Sequence, residues 1–190
     1  MERLIKAIDF SARKHRMQRR KNYDKTPYIN HPIEVMYLLS CTGVTDINTL
    51  IAAVLHDTIE DTGTTKEEIT KEFGFDVTKI VLECTDDKSL DKVTRKKLQI
   101  EHVKKASKEA KNIKLADKYS NICDLLSNPP SGWSKEEIYG YAYWSWSVCR
   151  GARGVNKKLE NKLDVLFADF DIKEDKLDDE LDKYYKKIGK

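Results

Sequence analysis

Leu50-Ile51-Ala52-Ala53-Val54-Leu55-His56-Asp57-Thr58-Ile59-Glu60-Asp61-Thr62 is the stretch on which the fold turns. Six apolar residues in a row are followed by an imidazole and three carboxylates within six positions. On a helix, residues advance by about 100° each, so His56 and Glu60 share a face and Asp57 and Asp61 form a row beside them. The four groups then span an arc of about 140°, with Leu55 and Ile59 turned elsewhere. One helix wall would present all four to a common space. Ionised carboxylates buried without compensation cost several kcal/mol each, and close like charges resist joint ionisation. A divalent cation removes that penalty and gives the imidazole a purpose. Exposure at a partly solvated helix end removes it as well.

Helical signals extend outward from this stretch. Asp46 is placed to cap the helix that carries it. Upstream, Leu4, Ile5, Ile8 and Ala12 recur at helical spacing over residues 2–16. Lys21 to Asn30 is expected to be a loop, and Pro32 suits the first turn of a helix that stops at Gly43. Downstream, Thr65 and Glu68 have capping-box spacing, and Gly74 closes that short helix. Further helices are expected over 76–86, 91–106 and 108–127, the last ended by Asn128-Pro129-Pro130. Ser134 and Glu137 repeat the capping box before an aromatic helix that runs to Gly151, and Asn156 caps one through Leu159, Leu163, Leu166 and Phe167. Strand-like alternation is nearly absent, and no repeat or linker divides the chain. The expectation is one all-α domain over 1–170, followed by a charged helix or tail over 171–190.

Composition narrows the function classes. The 190 residues suit one domain with a full core. Charged residues are 35% and hydrophobic ones 39%, the balance of a soluble globular protein. The apolar runs are far short of a membrane span. MERLIKAIDF has no secretion-signal pattern, so a cytoplasmic location is expected and membrane association is not. Cys41, Cys84, Cys123 and Cys149 lack any CxxC pairing and are expected to be reduced, buried small hydrophobes. A net charge of +3 excludes a strong bulk attraction to polyanions. Two local clusters, Arg13 to Lys21 and Arg95-Lys96-Lys97, are either solvated helix faces or a hold on an anionic ligand of limited size. No nucleic-acid-binding module accompanies them.

A metal site needs ligands from outside the opening stretch. His31, in YINHPIEV, precedes a helix start, and Asp117 lies in IKLADKYSNICDLL. With His56 and Asp57 they make a set of two histidines and two carboxylates. Such mixed donors suit Mn²⁺, Fe²⁺ or Zn²⁺ better than Ca²⁺.

In the same chain order, this set resembles the HD superfamily of metal-dependent phosphohydrolases. TPYINHP (26–32), LHDTIEDT (55–62), ECTDDKSL (83–90) and KLADKYSN (114–121) are similar to the ppGpp hydrolases of the RelA/SpoT family, in the small stand-alone form of the metazoan SpoT homologues. The resemblance spans residues 3–170 and implies an HD-domain helical bundle. It implies His31, His56, Asp57 and Asp117 as ligands of one Mn²⁺ and Glu60 and Asp61 as the catalytic acidic pair. Arg20 and Lys21 match the family's basic pair next to the nucleotide, and Tyr141 matches an aromatic residue of its pocket, with ordinary helix core as the alternative. Asn121, one turn after Asp117, is a candidate for ribose or base, and Lys97 for phosphate. Trp133, Trp144 and Trp146 are expected in the core. Lys25 stands where the family often has glycine, which bears on the loop and on base specificity. The implied activity is hydrolysis of the 3′-pyrophosphate of guanosine 3′,5′-bispyrophosphate (ppGpp) to GDP and pyrophosphate, with no ppGpp synthesis. NADPH 2′-phosphatase activity at the same site, or nucleotide sensing without turnover, are the alternatives.

Overall fold

The computed structural model describes residues 1–189, and the expected all-α architecture is what it contains. The helices are α1 (Glu2–Lys14), α2 (Asn30–Cys41), α3 (Ile47–Leu55), α4 (Thr58–Asp61), α5 (Lys66–Phe73), α6 (Phe75–Cys84), α7 (Lys92–Lys105), α8 (Lys108–Ser127), α9 (Lys135–Ala152), α10 (Lys157–Ala168) and α11 (Leu177–Ile188). Among the described residues there is no β-strand, only two isolated bridges that pin the 18–30 loop, Arg19 to Pro27 and Asn22 to Pro130. None of these helices is long and apolar enough to cross a membrane.

Local chemistry starts and stops the helices where the sequence indicates. Side chains of Asp46, Thr65, Asp91, Ser107, Ser134 and Asn156 each accept a hydrogen bond from the backbone N–H three residues on. These bonds satisfy donors that a helix leaves free in its first turn. Ser134 and Glu137 complete the reciprocal capping box. Gly74, at φ 91°, ends α5 and starts α6 in one residue, a conformation that other residues adopt with strain.

The core is built around α3 and α8. Every residue from Leu50 to Leu55 is buried, so α3 is enclosed on all sides. It packs against α1, α2 and α6, while α2, α9 and α10 cover α8. A polar strut crosses the far end, where Asn156 donates to Thr42 Oγ1 and Asn112 Oδ1. One expectation needs correction: Cys84 and Cys149 are buried, but Cys41 is exposed and Cys123 half-buried. Of the helix or tail expected over 171–190 the structure has the helix, α11, which packs on α9 and α7 and buries Tyr184. The last residue, Lys190, lies outside the described residues.

Candidate active site

The helix carrying the opening stretch does not run through as one rod. It breaks at His56 and Asp57, because side chains take carbonyls that the helix ladder would use. The His56 ring bonds Ala53 O through Nδ1 at 2.7 Å, and the Thr58 hydroxyl donates to Leu55 O at 2.7 Å. Asp57 sits at φ −99°, ψ −3°, and α4 restarts from its carbonyl. This replaces the expected single wall. The break leaves His56 at the floor, 2% exposed, while Asp57, Glu60 and Asp61 line the cleft above it.

Three distant parts of the chain converge at this floor. His31 enters from the start of α2 and Asp117 from the middle of α8. His31 Nε2 lies 3.1 Å from Asp117 Oδ1 and 3.8 Å from Asp57 Oδ2. His56 Nε2 lies 3.1 Å from Asp57 Oδ2 and 4.0 Å from Asp117 Oδ1. Ligand atoms of His31, His56 and Asp117 are all within 4.8 Å of one another.

Hydrogen bonds fix which ring nitrogens face inward. A carbonyl only accepts, so His56 Nδ1 carries the proton given to Ala53 O. Ser120 donates to Glu34 Oε2 at 2.7 Å, so its oxygen accepts from His31 Nδ1 at 2.9 Å. Both Nε2 lone pairs therefore point at carboxylate oxygens. His56 Nε2 is buried and has no hydrogen-bond partner. Acceptors facing acceptors repel unless a proton or a cation lies between them, so the donor set fits a divalent ion.

The electrostatics carry the same demand. Burial opposes charge on His56, but the adjacent Asp57 and Asp117 outweigh it and push its pKa up to about 9. Burial keeps His31 below its ordinary value, so without an ion it is His56 Nε2 that takes up a proton, in the place a cation would otherwise fill between the rings and the carboxylates. Burial would raise both aspartates, yet His56 holds Asp57, and Lys118 with His31 holds Asp117, well below the carboxylate range.

Above the floor opens a cleft of about 610 Å³, a size that suits a nucleotide-scale ligand. Glu60 accepts from the Asp86 N–H at 3.1 Å and lies 3.8 Å from Arg95. Burial, with Asp86 and Asp57 nearby, raises its pKa. Asp61 is held by Gln18 at 3.0 Å and by Lys88. Arg20 forks to Asp124 and donates to Asn121, and Asn121 in turn donates to Asp117. Lys21 and Tyr141 also line the cleft. Lys97 does not: it is exposed, with Nζ 5.1 Å above the Tyr185 ring. Its neighbour Lys96 faces inward instead, 3.1 Å from the Trp144 ring centre. Burial and the nearby Lys118 lower its pKa well below the usual lysine value. Of the first basic cluster, Arg19, Arg20 and Lys21 line the cleft, whereas Arg13 and Lys14 pair with Asp9 and Glu68 on α1 and α5.

Sequence reasoning missed several participants. Tyr28 donates to Asp57 at 2.6 Å, a role its place inside TPYINHP hinted at. Lys118, beside Asp117 in sequence, donates to its second oxygen at 2.8 Å. Trp133 and Trp144, expected only as core, line the cleft with Tyr184. No local pattern marks these last three.

A helical bundle that gathers a His–Asp doublet, a second histidine and a distant aspartate under one cleft is the arrangement of HD domains. The profile of the HD domain family matches residues 7–138. The chain is 52% identical over 167 residues to guanosine-3′,5′-bis(diphosphate) 3′-pyrophosphohydrolase MESH1 of Xenopus tropicalis, covering 87% of this chain and 93% of that one. The Homo sapiens protein of the same name is 50% identical over 165 residues, 86% of this chain and 92% of that one. A solved structure of a metazoan ortholog of SpoT, described as hydrolysing ppGpp with a role in starvation responses, superposes with a TM-score of 0.87. It is 46% identical and covers 89% of this chain and 96% of that one. The chain belongs to the HD-domain family and, within it, to the MESH1 proteins.

Proposed function

We propose that this protein is a Mn²⁺-dependent hydrolase that removes the 3′-pyrophosphate of ppGpp, giving GDP and pyrophosphate. The observation that carries this reading is the convergence of His31, His56, Asp57 and Asp117, with both Nε2 lone pairs turned inward, beneath a cleft that holds Glu60 and Asp61. Relatives about half identical over most of their length are hydrolases of that substrate by name.

His31, His56, Asp57 and Asp117 would hold the ion. When bound, a divalent ion there supplies hydroxide near neutral pH and polarises a phosphoryl oxygen. The chain's own residues do the rest. Lys118 holds the outer oxygen of Asp117, and Tyr28 donates to Asp57 Oδ2, the oxygen that faces the histidines, which fixes both carboxylates. Glu60, with its raised pKa, is suited to take the proton of the attacking water. Hydrolysis breaks the bond between phosphorus and the ribose 3′-oxygen, and that oxygen must gain a proton as it leaves. Asp61 keeps Lys88 at the cleft, where it can stabilise the departing oxygen. Nine lysines and arginines line the cleft against six acidic residues, a surplus that suits a ligand with four or more phosphate charges.

The test is to load the protein with Mn²⁺, supply ppGpp and NADPH in parallel, and compare kcat/KM by product. Pyrophosphate release from ppGpp is expected to dominate. Orthophosphate from NADPH at a higher kcat/KM would make the phosphatase reading the correct one, and binding without turnover of either would leave a sensor.

A further inference from the structure

The residues assigned to the reaction end at Lys118, yet the cleft has a wall from much later in the chain. Tyr184, on α11, lines it. Only 3% of Tyr184 is exposed. Its ring seats directly on the backbone of α9 at Gly140, where an added Cβ would stand 2.6 Å from Tyr184 Cδ2 and 2.7 Å from its Cβ. Glycine inside a helix is otherwise unfavourable, and this contact accounts for it. The neighbouring turns of α11 are tied down as well. Tyr185 lies beneath Lys97 of α7, and Gly189 reaches Val93 of the same helix. The helix is therefore clamped across α9 and α7, the two elements that bring Tyr141 and Lys96 to the cleft.

Two features point to a ligand. The Tyr184 hydroxyl makes no hydrogen bond to another side chain or carbonyl among the described residues and, on the cleft lining, stays open to a ligand instead of being sealed in the core. Aromatic side chains also cluster here: Tyr141 lies 5.5 Å from Trp133 and 5.2 Å from Trp144, centre to centre. The histidines and carboxylates suit the phosphate under attack. An aromatic end with a free phenol suits a flat heterocycle with hydrogen-bonding edges.

We propose that α11 is a wall of the binding cleft and that Tyr184 is a specificity-determining residue contacting the nucleoside part of a bound purine nucleotide. This rests on the proposed function, and it assigns a ligand contact to a segment beyond residue 138, where the HD-domain match ends.

The test uses the full chain loaded with Mn²⁺, as parent, Tyr184→Phe, Tyr184→Leu and Gly140→Ala. Calorimetry gives the Kd of GDP, a ppGpp assay gives KM and kcat, and circular dichroism gives the melting midpoint. Tyr184→Phe keeps the packing and removes one hydrogen bond, so Kd and KM should weaken about fivefold with kcat and midpoint near the parent's. Tyr184→Leu, and Gly140→Ala through displacement of the ring, should weaken both about tenfold or more. Parent-like Kd in Tyr184→Phe, or losses that only follow melting, would overturn the proposal and leave Tyr184 as packing. If the parent binds GDP without hydrolysing ppGpp while the variants bind weakly, the wall stands and the hydrolase reading falls. A parent that neither binds nor hydrolyses overturns both.

Discussion

Replacing Ser120 by alanine tests whether the inner floor is a metal cage held from behind. Ser120 is 1% exposed and does two things at once: it accepts from His31 Nδ1 at 2.9 Å and donates to Glu34 at 2.7 Å. Ser120→Ala leaves the His31 N–H buried without an acceptor, at a cost of about 1–3 kcal/mol. In a domain of this size that is a melting midpoint lower by about 2–4 °C per kcal/mol. The larger consequence concerns the ion. With Nδ1 unheld, the ring can turn or change tautomer, and Nε2 no longer faces Asp117 as a fixed lone pair. Loss of such an outer partner lowers metal affinity by about 10–100-fold, or about 1.4–2.7 kcal/mol. Competition for Mn²⁺ against a chelator of known affinity measures this, with Glu34→Gln as the control that keeps a side-chain acceptor for the Ser120 hydroxyl. A Ser120→Ala protein that holds Mn²⁺ as tightly as the parent would refute the cage, because His31 would then have no need of its orientation.

Other outcomes follow from the same geometry. Glu60→Gln is expected to keep Mn²⁺ and lose about 10²–10⁴-fold in kcat, whereas His56→Ala loses both; metal analysis beside a rate assay separates them. Burial, Asp86 and Asp57 raise the Glu60 pKa, so its base form is lost on acidification above the ordinary glutamate value. The acid limb of kcat/KM should therefore sit above pH 4.5, activity should rise with pH through it, and Glu60→Gln should abolish it. Lys25→Gly should stabilise the loop by about 0.5–1 kcal/mol in urea unfolding, because Lys25 is held at φ 51°. Asn156→Ala should destabilise by about 2–3 kcal/mol, since it removes the α10 cap together with the bonds to Thr42 and Asn112.

The sequence by itself determined the helices and the chemistry of the floor. Caps at Asp46, Asp91, Ser134 and Asn156 act over three residues, and apolar spacing acts over a turn or two, so both are written in consecutive letters. His56-Asp57 and the acidic pair after them are equally local. The motif order supplied His31 and Asp117, which come together from positions 86 residues apart. The break at His56 was out of reach, because it depends on side chains competing with the helix for carbonyls.

What only the tertiary structure decided is which side chains share a space. Lys96 and Lys97 are one residue apart in a helix, and sequence offers no choice between them. The packing of α7 on α9 turns Lys96 onto Trp144 and leaves Lys97 to α11. Residues 171–189 are nearly as charged as a solvated tail, yet a buried tyrosine seated on one bare helix backbone docks them at the cleft. A contact of that kind joins residues 44 apart through the absence of a Cβ, and no periodicity or composition encodes it.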